Sequence, residues 1–132
     1  MSKEFIQPDG LMKAVGYTHV VKTGPGNTIY ISGQVPVNLK GEIQGIGDFK
    51  KQVEVTFHNI NKALKSAEAE FDDVVKLNIY VTDYTPEYLP IIRDVRSRFL
   101  NQENPPAITL AGVSALYHPD VKIEVEAIAN KN

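Results

Sequence analysis

Asp120-Val121-Lys122-Ile123-Glu124-Val125-Glu126-Ala127-Ile128-Ala129 is the stretch on which the fold turns. Val121, Ile123, Val125 and Ala127 alternate with Lys122, Glu124 and Glu126, the period of two of a strand with one face on a core and one polar. Just upstream, Pro105-Pro106-Ala107-Ile108-Thr109 opens a further strand, Ala107 to Leu116, which is expected to pair with it across a turn at His118-Pro119-Asp120. Asp73 to Thr82 alternates too, setting Val75, Leu77, Ile79 and Val81 against Lys76, Asn78, Tyr80 and Thr82. Nearer the start, Tyr17 to Thr23 and Asn27 to Ser32 read as two strands joined in a tight hairpin at Gly24-Pro25-Gly26. Asn38-Leu39-Lys40-Gly41 reads as another turn.

Two helices separate these strands. Asp48 is placed to cap the first, since its carboxylate can accept from free first-turn amides. Phe49, Val53, Phe57, Ile60, Leu64 and Ala67 then recur every three or four residues as one buried stripe. Thr85-Pro86 reads as the start of the second helix, whose apolar face is Tyr88, Ile92, Val95 and Phe99. Helices and antiparallel strands in this order predict an α+β layer with both helices on one sheet face. The polar side of the last strand suits solvent. Tyr30 to Val35 and Ile108 to Ser114 instead carry apolar groups on both faces, so association through the open sheet face is expected.

With 132 residues the chain reads as one domain, 1–132, large enough for a real core. A net charge of −2 gives no long-range pull toward nucleic acid or anionic lipid. The absence of cysteine excludes disulfides, thiol catalysis and zinc–thiolate sites. Met1-Ser2-Lys3-Glu4-Phe5-Ile6-Gln7-Pro8 has no apolar signal core and nothing downstream reaches a spanning length, so a cytoplasmic protein is expected. His19, His58 and His118 do not combine with carboxylates at metal-ligand spacing, and no metal is expected. Gly24-Pro25-Gly26 is not followed by the Gly-Lys-Thr helix of a phosphate loop.

Taken together, Tyr30-Ile31-Ser32-Gly33-Gln34-Val35-Pro36-Val37-Asn38, Asp73-Val74-Val75-Lys76 and the Asp120 to Ala129 strand resemble the signature of the Rid family. These are the reactive intermediate deaminases, YjgF type, also labelled endoribonuclease L-PSP. The resemblance runs from about Tyr17 to Ala129. It implies a chorismate-mutase-like fold: a mixed, mostly antiparallel sheet with two helices on one face, three subunits forming a barrel, and a ligand pocket at each subunit interface. It also implies hydrolysis of enamines or imines, in which a carboxylate polarises water for attack on a C=N carbon and a cation fixes the substrate's own carboxylate. No cofactor is implied.

Carried over by position, Glu124 is the water-activating carboxylate, Tyr17 the pocket tyrosine, and Gly33 the point where a strand approaches the ligand. Thr109 follows the position at which family members hold an arginine; here that position is Ile108. Losing a charged hydrogen bond of about 1.5–3 kcal/mol points to a substrate other than the short 2-imino acids. With Leu100 aligned on the family's terminal helix phenylalanine, Arg93 falls on the family's second-helix asparagine; a shift of one residue puts Ile92 there, but Ile92 already belongs to the buried stripe. Arg93 there would move a cation from strand to helix and leave an anionic ligand open. Arg93, Arg96 and Arg98 read equally well as a solvated helix face. His19 alternates with Tyr17 and is a candidate acid, base or anion donor. Glu126 shares the face of Glu124 and reads as a structural partner of Lys122 or of another subunit. The expected partners are two further copies of the chain and a small molecule, an anionic one included. Nucleic acid is not expected, because no basic stripe with stacking aromatics is present. The alternative to an enzyme is a non-catalytic metabolite-binding or accessory protein using the same pocket.

Overall fold

A computed structural model of the chain describes residues 3–132; Met1 and Ser2, which open the N-terminal stretch considered above, lie outside the described residues. The first helix, α1 (Phe49–Ser66), starts where its cap is: Asp48 Oδ1 accepts from the Lys51 amide at 3.1 Å. Val53, Phe57, Ile60 and Leu64 are fully buried, while Ala67 has left the stripe to become the exposed C-cap. The second helix, α2 (Tyr88–Ser97), begins later than the Thr85-Pro86 signal predicts. Thr85 bonds the Glu87 carboxylate, and its carbonyl accepts from the Tyr88 amide at 3.0 Å, so residues 85–88 form a hydrogen-bonded turn ahead of the helix.

The strands are β1 (Lys3–Ile6), β2 (Val20–Thr23), β3 (Asn27–Gln34), β4 (Val74–Thr82), β5 (Ala107–Val113) and β6 (Ile123–Lys131). The main sheet has the order β3-β6-β4-β5. β6 is central and antiparallel to both β3 and β4, whereas β5 lies on the outer side of β4 and parallel to it. This corrects the expected pairing of the last two strands. The chain between β4 and β5 is a helical crossover, which returns a strand parallel to its predecessor, and β6 then closes the gap between β4 and β3.

The predicted hairpin is also absent. β2 pairs with β1, a strand that the sequence pattern does not announce, and β3 pairs with β6. Gly26, at φ +149°, folds against the end of β6 so closely that a Cβ would stand 2.8 Å from Asn130 Oδ1. Gly24-Pro25-Gly26 therefore carries the chain from one sheet to the other. Residues 17–19 are not strand: Thr18 is drawn to the approach to β5, its amide donating to the Pro106 carbonyl at 3.0 Å and its hydroxyl to that of Pro105 at 2.5 Å.

Both helices cover one sheet face, and the core is what lies between. Leu77, Ile79 and Val81 of β4 and Ile123, Val125 and Ala127 of β6 meet Phe57, Ile60 and Leu64 of α1 and Ile92 and Val95 of α2. At the start of β4 the register slips between Val74 and Lys76, so Val74 and not Val75 enters the core. Two amides key α1 to the sheet. Fully buried Gln52 donates to the Asp120 carbonyl at 2.7 Å and accepts from the Lys122 amide at 2.8 Å, and Asn59 donates to the carbonyls of Val35 and Val37.

Candidate functional site

Residues directly opposite on neighbouring strands share a sheet face. Glu124 is level with Tyr80, Glu126 and Thr109 are both level with Asn78, and all five stand on the side away from the helices. Most polar groups here are already matched. The Tyr80 hydroxyl donates to Glu126 at 2.5 Å, Lys76 donates to the Thr109 hydroxyl at 2.7 Å, and Lys122 pairs with Asp83 at 3.1 Å. Glu126 thus has Tyr80 as its partner within the chain, not Lys122. The hydrogen bond to Glu126 raises the Tyr80 phenol above its ordinary value, helped by burial and by the charges of Glu126 and Glu124.

Glu124 is the exception. Half-buried, it makes no side-chain hydrogen bond or ion pair among the described residues. Its carboxylate rests on Gly33, where the Cβ of any larger residue would come within 1.8 Å of Oε2. The β3–β6 register breaks between Ile31 and Gln34, which brings bare backbone under the acid. The result is a carboxylate with free lone pairs beside main chain that no side chain covers at Gly33, an arrangement suited to holding and polarising a water molecule.

A second group gathers around Pro105 and the end of α2. Gln7 organises the loop before it, donating to the carbonyls of Leu11 and Met12 and accepting from the Ala14 amide. Tyr17 and His19 are brought together, with ring centres 5.2 Å apart and edge to face, but on a loop and not on a strand as expected. His19 Nε2 donates to the Met12 carbonyl at 2.7 Å, which ties the ring to the loop. Arg93 is exposed and lines a cleft of about 180 Å³ with Gly16, Ser97, Leu100 and Pro105. The cleft's other arginine, Arg96, is only 7% exposed. Neither a solvated helix face nor family position singles out Arg96. Its spacing does, since it follows Ile92 by four residues on the buried side of α2.

Ile108 belongs to neither group. Level with Leu77, it faces the helices and packs on the core. The sheet and its length separate the rest. From Pro105 to Ala111, the residue level with Tyr80, the chain advances roughly 20 Å at about 3.3 Å per residue, and Glu124 lies one strand further. One protomer therefore brings together Glu124 and Gly33 in one place and Tyr17, His19 and Arg93 in another, with Thr109 on the face of Glu124 but two strands away. Among the described residues no group of three or more His, Asp or Glu could hold a metal ion, and no helix is long and apolar enough to cross a membrane.

A family model described as Endoribonuclease L-PSP matches residues 9–131. A RutC family protein of Pyrococcus abyssi is 35% identical over 133 residues, covering 99% of each chain. A 2-iminobutanoate/2-iminopropanoate deaminase of Dermatophagoides farinae is 30% identical over 112 residues, 85% of this chain and 83% of its own. Among solved structures, YyfB of Yersinia pestis, described as a conserved Rid-family protein of unknown function, superposes with a TM-score of 0.90 at 34% identity, covering 98% of this chain and 99% of that one.

Proposed function

Because the chain belongs to the endoribonuclease L-PSP family, the Rid or YjgF proteins, we propose that it is a small-molecule hydrolase of the enamine and imine deaminase type. The observation that carries this reading is the unpartnered Glu124 carboxylate over Gly33. Glu124 takes a proton from water as the oxygen bonds to the C=N carbon, and the nitrogen gains that proton. Collapse of the carbinolamine releases ammonia and leaves the C=O product, so one water is consumed for each ammonia formed. A relative named for 2-imino acid deamination supports the reaction class.

The protein acts as a cytoplasmic homotrimer in this reading. Because one protomer keeps the Glu124 group apart from the Tyr17, His19 and Arg93 group, the pocket forms where the first group of one copy meets the second of another. Thr109, whose hydroxyl accepts from Lys76 and keeps its own proton to donate, lines the Glu124 side. With Ile108 turned into the core, the substrate is not held as a short 2-imino acid is held by an arginine at that position. A second reading, a non-catalytic metabolite binder, is favoured by that same inward Ile108. For an RNA-acting role, a net charge of −2 supplies no overall electrostatic attraction to phosphate backbones.

The test is hydrolysis of freshly generated 2-iminopropanoate and 2-iminobutanoate by the wild type, Glu124→Gln and Ile108→Arg. Turnover by the wild type that disappears in Glu124→Gln supports the hydrolase, with the arginine's role taken by another cation. Activity appearing only in Ile108→Arg supports a hydrolase adapted to another substrate. Silence in all three transfers the assignment to the binding protein.

A further inference from the structure

Arg96 is a buried cation without an anion. It is 93% withdrawn from solvent, pairs with no carboxylate among the described residues, and makes one hydrogen bond, from Nη2 to the Gly16 carbonyl at 3.3 Å. Withdrawing a guanidinium from water is costly unless a counter-charge replaces the lost hydration. The nearby candidates are spent. Asp94, the acid of the same helix, is held by Arg98 at 2.8 Å, as is Glu54. Glu103 lines the adjoining depression beside Tyr17 and His19 and ion-pairs with neither Arg93 nor Arg96. Nor does the helix end fill the role. The carbonyls of Val95, Arg96 and Ser97 already accept from the amides of Arg98, Phe99 and Leu100 and from the Gln102 side chain.

The surroundings keep this charge reachable. Gly16 has φ +81°, a conformation that favours glycine, and a Cβ there would stand 3.0 Å from Arg96 Nη2 and press on the guanidinium. The open cleft in front of it, about 180 Å³, is lined by Arg93, Ser97 and Gln102 on its polar side and by Val15 and Leu100 on its apolar side. Burial lowers the Arg96 pKa from its ordinary value, and the charge of Arg93 lowers it further, so the two cations stand close enough to repel each other. A guanidinium remains protonated at neutral pH all the same. Two mutually repelling cations at one small cleft are the arrangement that an oxyanion relieves.

We propose that the Arg96–Arg93 cleft is a binding site for a small oxyanion, the carboxylate of a short organic acid or a phosphate. Guanidinium groups match the paired oxygens of either. The volume equals about six water-sized shares of about 30 Å³, enough for a carboxylate with a short apolar tail or for one phosphate. Val15 and Leu100 favour the tail. This deepens the proposed function by naming cations that would hold the ligand's acid group, and it rests on that reading for the class of ligand.

Isothermal titration of the intact protein with 2-oxobutanoate, and separately with inorganic phosphate, tests it. Saturable binding is expected in the wild type, weakened about tenfold or more in Arg96→Met and weakened also in Arg93→Gln. Binding of 2-oxobutanoate alone assigns the site to carboxylates, and binding of phosphate alone assigns it to phosphate. Absence of saturable binding by either probe overturns the proposal, as it would if a carboxylate of a second copy already filled the cleft. Undiminished binding in Arg96→Met overturns it too; should that variant fail to fold, undiminished binding in Arg93→Gln does so. Anion binding in a protein whose Glu124→Gln variant hydrolyses imines as well as the wild type would leave the site standing and remove the catalytic reading.

Discussion

Gly33 and Glu124 constrain each other at the scale of single side chains. A methyl at position 33 would overlap Glu124 Oε2 at 1.8 Å, and the carboxylate, as the far end of a flexible chain, must swing off the backbone. Gly33→Ala should therefore cost as much imine-hydrolysis turnover as Glu124→Gln while leaving the melting curve nearly in place, which calorimetry beside the assay would check. Tyr80 makes a different prediction. Its folded pKa lies above the ordinary 10.0, so the stability it contributes is fully present below about pH 10 and drains away as pH climbs through the higher folded value. Tyr80→Phe should flatten the alkaline limb of a stability-against-pH curve, and an unchanged limb would show the Tyr80–Glu126 bond to be unimportant. Alternation placed Glu124 on the face away from the helices together with Lys122 and Glu126, and only the family resemblance separated it from them. Arg96 could not be separated from Arg93 as easily: helical spacing marks a buried side, yet a cation there is ordinarily dismissed as solvated, and only the tertiary packing of the residue 14–18 loop covers it.

The helices show what local chemistry can dictate. Asp48 caps α1 as its side chain allows, and Asp48→Ala should lower stability by about 1 kcal/mol in urea denaturation. Phe57, fully buried and stacked against Phe71 and Phe99, should cost roughly 3–5 kcal/mol when cut to alanine. Helix faces and strand faces were both legible in the sequence, since each is a periodicity carried by neighbours in the chain. Strand partners were not. Nothing in Ile108 or Thr109 says that the adjoining strand is β4 and not β6, because alternation is the same whichever neighbour supplies the hydrogen bonds. The Gly24-Pro25-Gly26 turn likewise has hairpin chemistry without hairpin pairing, its geometry answering to Asn130 and Lys131 far along the chain. Gln52 and Asn59 escape a sequence reading for a related reason: a polar residue on a buried helical stripe is satisfied by backbone groups that only the assembled layers bring near.

For the molecule as a whole, the helix-free sheet face and the outer edges of β3 and β5 are the surfaces left without an intramolecular partner in the main sheet. Tyr30 stands on that face 77% exposed, a large aromatic suited to burial against another copy. Light scattering should report the mass of three protomers, and Tyr30→Asp should shift it toward one without loss of helical circular dichroism. A monomeric wild type would defeat the trimeric pocket. The central position of β6 has a consequence in time. Residues 123–131 leave the ribosome after every other strand of the sheet, and β3 has no other partner in it. From the synthesis of Gln34 to that of Ile123, β3 must wait as an unpaired apolar ribbon. Such distant pairing makes folding slow and exposes the nascent chain to aggregation; the sheet is completed from its middle, and late.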